Sequence, residues 1–274
     1  MQMLAPSLRL QRAQGRAEVA MTRARGDTRL RRLYQQGCAK ALLPRVHGGT
    51  PEAVLINTSG GITGGDRLDY GVELDAGTAL TVTTQAAERV YRASGGVGAV
   101  AVDLRVGAGA RLDWLPQETI LFEGGRLARR LTAEIAEDAE LTVLESVVLG
   151  RAAMGETLRD ATITDHWRLS RAGRLVHAEA LRLGPDIGAA AAGRATLAGA
   201  RAFATIVHLA PRAQDRLGQA RALLEGIGIP AAASARPGLL VLRFLAPDAA
   251  PLRAALFRFL MDFRGAPLPR VWSL

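Results

Sequence analysis

The chain has 274 residues, 49% of them hydrophobic and 22% charged, a balance that supplies a large core, excludes a disordered chain and fits one big domain or two small ones. No run of about 18 apolar residues occurs, which argues against a membrane-spanning helix. A formal charge of +9 invites a nucleic-acid or acidic partner, but Lys40 is the only lysine, the arginines are spread along the chain, and aromatics for base stacking make up 4%, so an acidic protein partner is favoured over nucleic acid.

Residues Met1 to Ala20 carry Arg9, Arg12, Arg16 and Glu18 without a long apolar stretch, and read as neither signal peptide nor anchor. The densest basic group follows, with Arg23, Arg25, Arg29, Arg31 and Arg32. The single cysteine, Cys38, has no partner for an internal disulfide; it reads as a small packed hydrophobe in a protein of the reducing cytoplasm.

From Thr50 to about Leu183 the pattern alternates in the manner of strands, with Gly, Asp and Asn at the breaks. Val54-Leu55-Ile56 runs into a glycine-rich loop, Asn57 to Asp66, that superficially resembles a dinucleotide-binding turn. Leu68 to Leu74 then alternates as a strand where a phosphate cradle requires a helix N-terminus. Glycines needed for positive φ or close strand packing are the simpler explanation. An internal echo follows: Leu74 to Val82, Val106 to Trp114 and Ile135 to Val143 each read as an apolar residue, a turn with Gly or Asp three places on, then Leu-x-apolar. The period is roughly 30 residues, and Leu169 to Val176 forms a looser fourth copy. Such a unit cannot bury its apolar face alone, so copies must stack. The expectation is a mainly β fold, solenoid-like or a layered β-sandwich, over residues 1–201.

After Ala202 the pattern changes to α+β. Phe203 to Leu209 and Leu239 to Leu245 read as strands, and Asp215 to Gly226 as a helix. A second helix opens with Asp248 as cap and Pro251 in its first turn. Its stripe of Leu252, Leu256, Phe259, Leu260 and Phe263 ends at Gly265. The finish, Pro267 to Trp272, should be extended.

His47, His166, His177 and His208 are scattered and form no zinc pattern, and no nucleophile elbow, HExxH or Walker lysine occurs. Arg151 and Glu156 read as a surface pair. Two rival readings remain open: an arginine-rich anion-binding module, and a sugar-acting enzyme with Asp113 and Glu118 as acid and base.

Six strings decide among these. They are Tyr34 to Lys40, Asn57 to Asp66, Thr83 to Arg92, Trp114 to Ile120, Leu149-Gly150-Arg151 with Met154-Gly155-Glu156, and the closing Leu268 to Trp272. Together and in this order they resemble the urease accessory proteins of the UreD/UreH type. The resemblance implies a non-catalytic scaffold that binds UreF and the GTPase UreG, docks on the urease apoprotein, and helps nickel supplied by UreE reach the active site. It implies no permanently bound cofactor, with nickel only in transit.

Two expectations about sites follow. Nickel accepts oxygen ligands, and a protein that passes the ion on should bind it loosely. Glu145 and Glu179 each stand four places after a repeat leucine in otherwise apolar strands, where an ionised carboxylate needs a partner, water or an ion. With Asp66 and Glu88, in the family-like strings, they are expected to line a water-filled nickel passage. The stripe residues Leu252, Leu256, Phe259 and Phe263 are expected to add apolar area to a partner interface.

Overall fold

A computed structural model describes residues 11–46 and 49–273; His47 lies outside the described residues. In chain order the strands are β1 (Gln14–Ala24), β2 (Asp27–Gly37), β3 (Ala39–Leu42), β4 (Glu52–Asn57), β5 (Arg67–Leu74), β6 (Ala79–Thr84), β7 (Glu88–Val90), β8 (Gly98–Val106), β9 (Arg111–Trp114), β10 (Thr119–Leu121), β11 (Arg126–Ile135), β12 (Glu140–Leu149), β13 (Thr162–Arg171), β14 (Arg174–Leu183), β15 (Ala202–Leu209), β16 (Ala231–Arg236) and β17 (Leu239–Ala246). Three α-helices, α1 (Ile187–Ala192), α2 (Leu217–Leu224) and α3 (Ala249–Arg264), join them among the described residues, with short 3-10 turns.

The repeat period sets the architecture. Strands β5, β8, β11 and β13 pair in parallel on one side, while β4, β6, β9 and β12 pair in parallel on the other. The chain therefore winds in coils between two sheets. The three aligned copies coincide with the register: Val106 pairs with both Leu74 and Ile135, and Leu112 with both Leu80 and Leu141. Stacking places like residues over like, so the inward leucines of successive coils form one continuous core between the sheets. At the turns, Gly77 and Gly109 adopt φ of +66° and +61°, where a side chain would be strained. In the third copy Asp138 takes that place, and its Oδ1 accepts from Gly109 N at 2.9 Å.

The fourth copy does not continue the stack. At Ala172 and Gly173 the chain takes φ of +47° and +75° and turns back, so that β14 returns antiparallel to β13. The hairpin of β1 and β2 closes the other end of this seven-stranded sheet.

The change of pattern near Ala202 coincides with a change from parallel to antiparallel pairing, while the sheet itself runs on. Strand β15 pairs with β12, β17 with β15 and β16 with β17, extending the second sheet to ten strands. Helices α2 and α3 cover the outer face of this extension and enclose a second core. Asp248 caps α3, its Oδ1 accepting from Ala249 N at 2.7 Å, and Gly265 ends it at φ +61°. The Asp215–Gly226 segment is a 3-10 turn leading into α2. Strand β16 and helix α1 carry no sequence signal because they consist largely of alanine. The finish is extended only to Pro269, after which Arg270–Ser273 form a 3-10 turn. No helix among the described residues is long and apolar enough to cross a membrane.

Where the second sheet is covered on both sides, strands such as β6 and β12 are buried on both faces. In β6, Leu80 and Val82 face the first sheet, while Thr81 and Thr83 meet the C-terminal segment: Thr83 Oγ1 accepts from Trp272 Nε1 at 3.0 Å and Thr81 Oγ1 from Arg264 Nη2 at 3.1 Å. Arg264 Nε also donates to Asp113 Oδ2 at 3.0 Å, and both side chains are nearly enclosed. Breaking a buried pair from one side leaves an uncompensated charge, at a cost of about 3–5 kcal/mol. Arg264→Met should accordingly lower the unfolding free energy measured in urea by that much, whereas adding Asp113→Leu should recover most of the loss.

His208, on β15, faces Thr142 Oγ1 at 3.1 Å and the edge of Phe263. Burial pushes its imidazole down to about 4, helped by the nearby Arg216 and Arg171 and opposed by Asp113. An unfolded chain protonates this residue near its ordinary value of 6.5, so its contribution to stability is complete above that pH and is lost as pH falls towards 4. The expected loss is on the order of 3 kcal/mol. Between pH 6.5 and 4, His208→Asn should show a smaller fall in melting temperature than the parent chain.

Candidate functional site

On β11 the inward positions read Leu127, Arg129, Leu131, Ala133 and Ile135, and on β13 they read Ile163, Asp165, Trp167 and Leu169. A charge thus occupies an apolar position in each of two neighbouring strands, and the register sets Arg129 beside Asp165. Across the core, β12 supplies Glu145. Arg129 Nη2 donates to Asp165 Oδ2 at 2.6 Å, and its Nη1 donates to Glu145 Oε2 and, at 3.2 Å, to Thr119 Oγ1. Trp114 Nε1 donates to the other Glu145 oxygen at 3.0 Å. All three charged residues are buried, at 3–6% exposure, where each charge needs its partner.

Burial pushes the Glu145 carboxyl above its ordinary range against the pull of Arg129, whereas at Arg129 burial is outweighed by Asp165 and Glu145, which together hold the guanidinium charged more firmly. Both shifts are upward, which disfavours charge on the carboxyl and favours it on the guanidinium. A guanidinium does not give up its proton in a protein, so the contact is ionic, and the rise at Glu145 reflects what enclosure costs that carboxylate.

Three cavities lie along this cluster. The first, about 140 Å³, sits under the exposed loop at Gln85 and Ala86 and is lined by Asn57, Tyr70, Thr84 and Glu88. The second, about 50 Å³, shares Tyr70, Thr84 and Glu88 with the first and adds Arg129 and Glu145. The third, about 310 Å³, shares Arg129 and Glu145 with the second and extends past Asp165 to Glu179 and Arg243. Even the smallest exceeds the roughly 10–15 Å³ that one water needs. The series runs between the sheets from the Gln85 loop to Arg243, whose side chain is half exposed.

Of the four carboxylates read from the sequence, the structure brings Glu88, Glu145 and Glu179 onto this series and leaves Asp66 apart. Asp66 is buried, with Oδ1 accepting from Ala13 N and Oδ2 from Thr63 N, both at 2.8 Å, and it ties the glycine loop to the start of β1. Glu88 accepts from Asn57 Nδ2 at 3.2 Å, and burial pushes it up to about 7. Burial also opposes charge on Glu179, but His177, with Nε2 3.5 Å away, and the hydrogen bond from Arg243 at 2.6 Å bring it down to about 2. Among the described residues no three His, Cys, Asp or Glu side chains converge as a cage for a metal. Arg129 and Asp165 were missed by sequence reasoning; the usable signal was a charge at the apolar parity of a strand.

The glycine loop carries no helix and leads into β5. A side chain at Gly61 would stand 2.3 Å from the Tyr91 ring, and one at Gly64 2.2 Å from Gly95 O, so both residues serve close packing. Distant strings meet here. Gln117 Nε2 donates to Thr84 O, Gln85 O and Val271 O, and its Oε1 accepts from Arg253 of α3.

The remaining candidates have other places. Leu252, Leu256, Phe259 and Phe263 are 1–2% exposed within the second core, so their apolar area is already covered by this chain. The residues that α3 turns outward are Ala250, Ala254, Arg258 and Asp262. Asp113 and Glu118 are held by Arg264 and Arg253. In the basic hairpin, Arg29, Arg31 and Arg32 pair with Asp27, Glu73, Asp75 and Glu18, which offsets the charge an anion would seek. Arg151 and Glu156 form a two-point pair beside Phe122.

The comparisons with known proteins agree with the strings. Residues 13–273 match the family of UreD urease accessory proteins. The chain is 52% identical over 271 residues to urease accessory protein UreD of Methylobacterium sp. (strain 4-46), covering 97% of this chain and 96% of the relative. It is 49% identical over 275 residues to the protein of the same name from Rhizobium leguminosarum bv. trifolii (strain WSM2304), covering 100% of both. With Cereibacter sphaeroides (strain ATCC 17025 / ATH 2.4.3) the identity is 52% over 264 residues, 96% of each chain. Matched from end to end in sequence, with three of the strings that carry the likeness, Asn57 to Asp66, Thr83 to Arg92 and Trp114 to Ile120, lining the cavity series, the chain belongs to the UreD family of urease accessory proteins.

Proposed function

We propose that this chain is a non-catalytic scaffold of urease maturation that conducts nickel through its β body. It acts in a cytoplasmic complex with UreF and the GTPase UreG on the urease apoprotein, and the metal is supplied by UreE. The observation that carries the passage is the placement of Glu88, Glu145 and Glu179 along three cavities that share walls. Family membership supports the role in urease maturation.

The chemistry suits transit. Nickel is borderline in softness and accepts carboxylate and water oxygens. Single carboxylates spaced along a hydrated path bind weakly and in series, so that each accepts the ion and releases it. Glu88 stands near the surface loop at one end and Glu179 near Arg243 at the other, so a cation would meet an acidic group at both mouths. Asp66 contributes by holding the loop beside the first mouth.

The double change Glu145→Ala and Glu179→Ala should leave assembly with UreF, UreG and urease intact, as read by pull-down. In the same preparation, nickel by elemental analysis and urease activity should fall about tenfold, the loss that follows from about 1.4 kcal/mol at the steps these groups assist. A normal complex with normal nickel would overturn the passage.

A further inference from the structure

The wall between the second and third cavities is the Arg129–Glu145 pair itself, since these are the residues that line both. A fixed guanidinium there presents a positive charge to any cation and occupies the carboxylate the cation would use. The pair has an unused alternative. Arg129 Nε and Asp165 Oδ1 are both buried and meet no partner among the described residues, while the adjacent Nη2 and Oδ2 of the same two groups are already bonded at 2.6 Å. One further contact, Nε to Oδ1, would complete a side-on, two-point pair. The chain uses that geometry elsewhere, in Arg67–Asp69 and Arg151–Glu156, where Nε and Nη2 engage both oxygens of one carboxylate.

We propose that Arg129 is a two-position latch: bridging Glu145 and Asp165 it closes the passage, and swung fully onto Asp165 it frees Glu145 to receive a divalent cation. This rests on the passage reading above. In the closed position the one guanidinium holds two carboxylates. In the open position Arg129 and Asp165 neutralise each other, and Glu145 keeps its bond from Trp114 and one free oxygen directed at the cavity. No proton moves and no covalent bond changes. The incoming cation replaces the guanidinium as the positive partner of Glu145, so each carboxylate faces a positive group before the swing and after the cation arrives. Asp165 is then a positioning residue, acting on the cargo only through Arg129.

The test uses the purified complex of the full chain with UreF, UreG and urease apoprotein, Ni(II) as the only added metal, and transferred nickel as the readout. Asp165→Asn keeps one acceptor for Nη2 but sets an amide N–H against Nε, so Arg129 loses its second seat. Transfer should slow by about tenfold or more, the loss of one charge-assisted hydrogen bond. The double variant Arg129→Gln with Asp165→Asn removes the charge that needs holding, and should return transfer to within about twofold of the parent rate. Urea unfolding of the same variants separates a merely structural role, in which stability falls and recovers in step with transfer, from the latch, in which transfer slows in a chain of parent-like stability.

Parent-rate transfer by Asp165→Asn, or a double variant as slow as the single one, would overturn the latch. Where Asp165→Asn does not fold, Arg129→Lys decides: an ammonium keeps the charge but cannot grip two oxygens side-on, so the same slowing is expected and parent-rate transfer overturns it. Glu145→Ala with Glu179→Ala, run alongside, separates the two ideas. If that variant slows transfer and Asp165→Asn does not, the passage stands without a latch; if neither slows it, both fall.

Discussion

In-register parallel pairing is the constraint on which everything else here depends. A strand laid parallel on its predecessor sets each residue beside its counterpart one coil earlier, so the facing of a side chain is inherited from coil to coil. Apolar parity therefore builds a continuous core, with Leu80, Leu112 and Leu141 in one row. The same rule means that a charge on the inward parity cannot be turned to solvent without turning its whole strand. Arg129, Glu145 and Asp165 are held in the core by their neighbours' leucines, and having no route outward they compensate one another. The cavities follow, because polar side chains cannot interdigitate with the rows of leucine around them.

Much of this was legible in the sequence, for a physical reason. The repeat spacing that the eye finds at Leu74, Val106 and Ile135 is the spacing the hydrogen bonds enforce, so the alignment of strings was already the register. Glu145 and Glu179 stood out as charges in apolar strands, and both reach the cavities. Less legible was anything decided across the core. Asp66 sits in a family-like string but serves backbone N–H groups of the glycine loop and of Ala13, a local duty that the string does not distinguish from a lining one. The fourth copy read as a coil because the residues around a tight turn look alike whether the chain crosses to the facing sheet or doubles back on the same one.

The C-terminal portion shows the same limit. An apolar stripe on a helix states that area must be covered and does not state by what. Phe259 and Phe263 are met by Phe244 and His208 of the chain's own strands, which the stripe could not specify. The partly buried Arg253 and the nearly enclosed side chain of Arg264 then fasten α3 to Gln117, Glu118 and Asp113. Helix position and cavity wall are coupled through Gln117, which also bonds the backbone beside the first cavity.

The hairpin of β13 and β14 has a further consequence. A stack of parallel coils has no intrinsic length, and the reversal at Ala172 and Gly173 ends it on this side. From Glu88 to Glu179 the cavity series advances across the strands, so the distance between its mouths is counted in strands, each adding about 4.8 Å. Gaining or losing one whole coil would change that distance by one step and leave every side chain facing as before, whereas a single inserted residue would reverse a strand. Span and lining are thus independent variables in this fold: the number of coils sets how far apart two docked surfaces can be bridged, and the residues on the inward parity set what can cross between them.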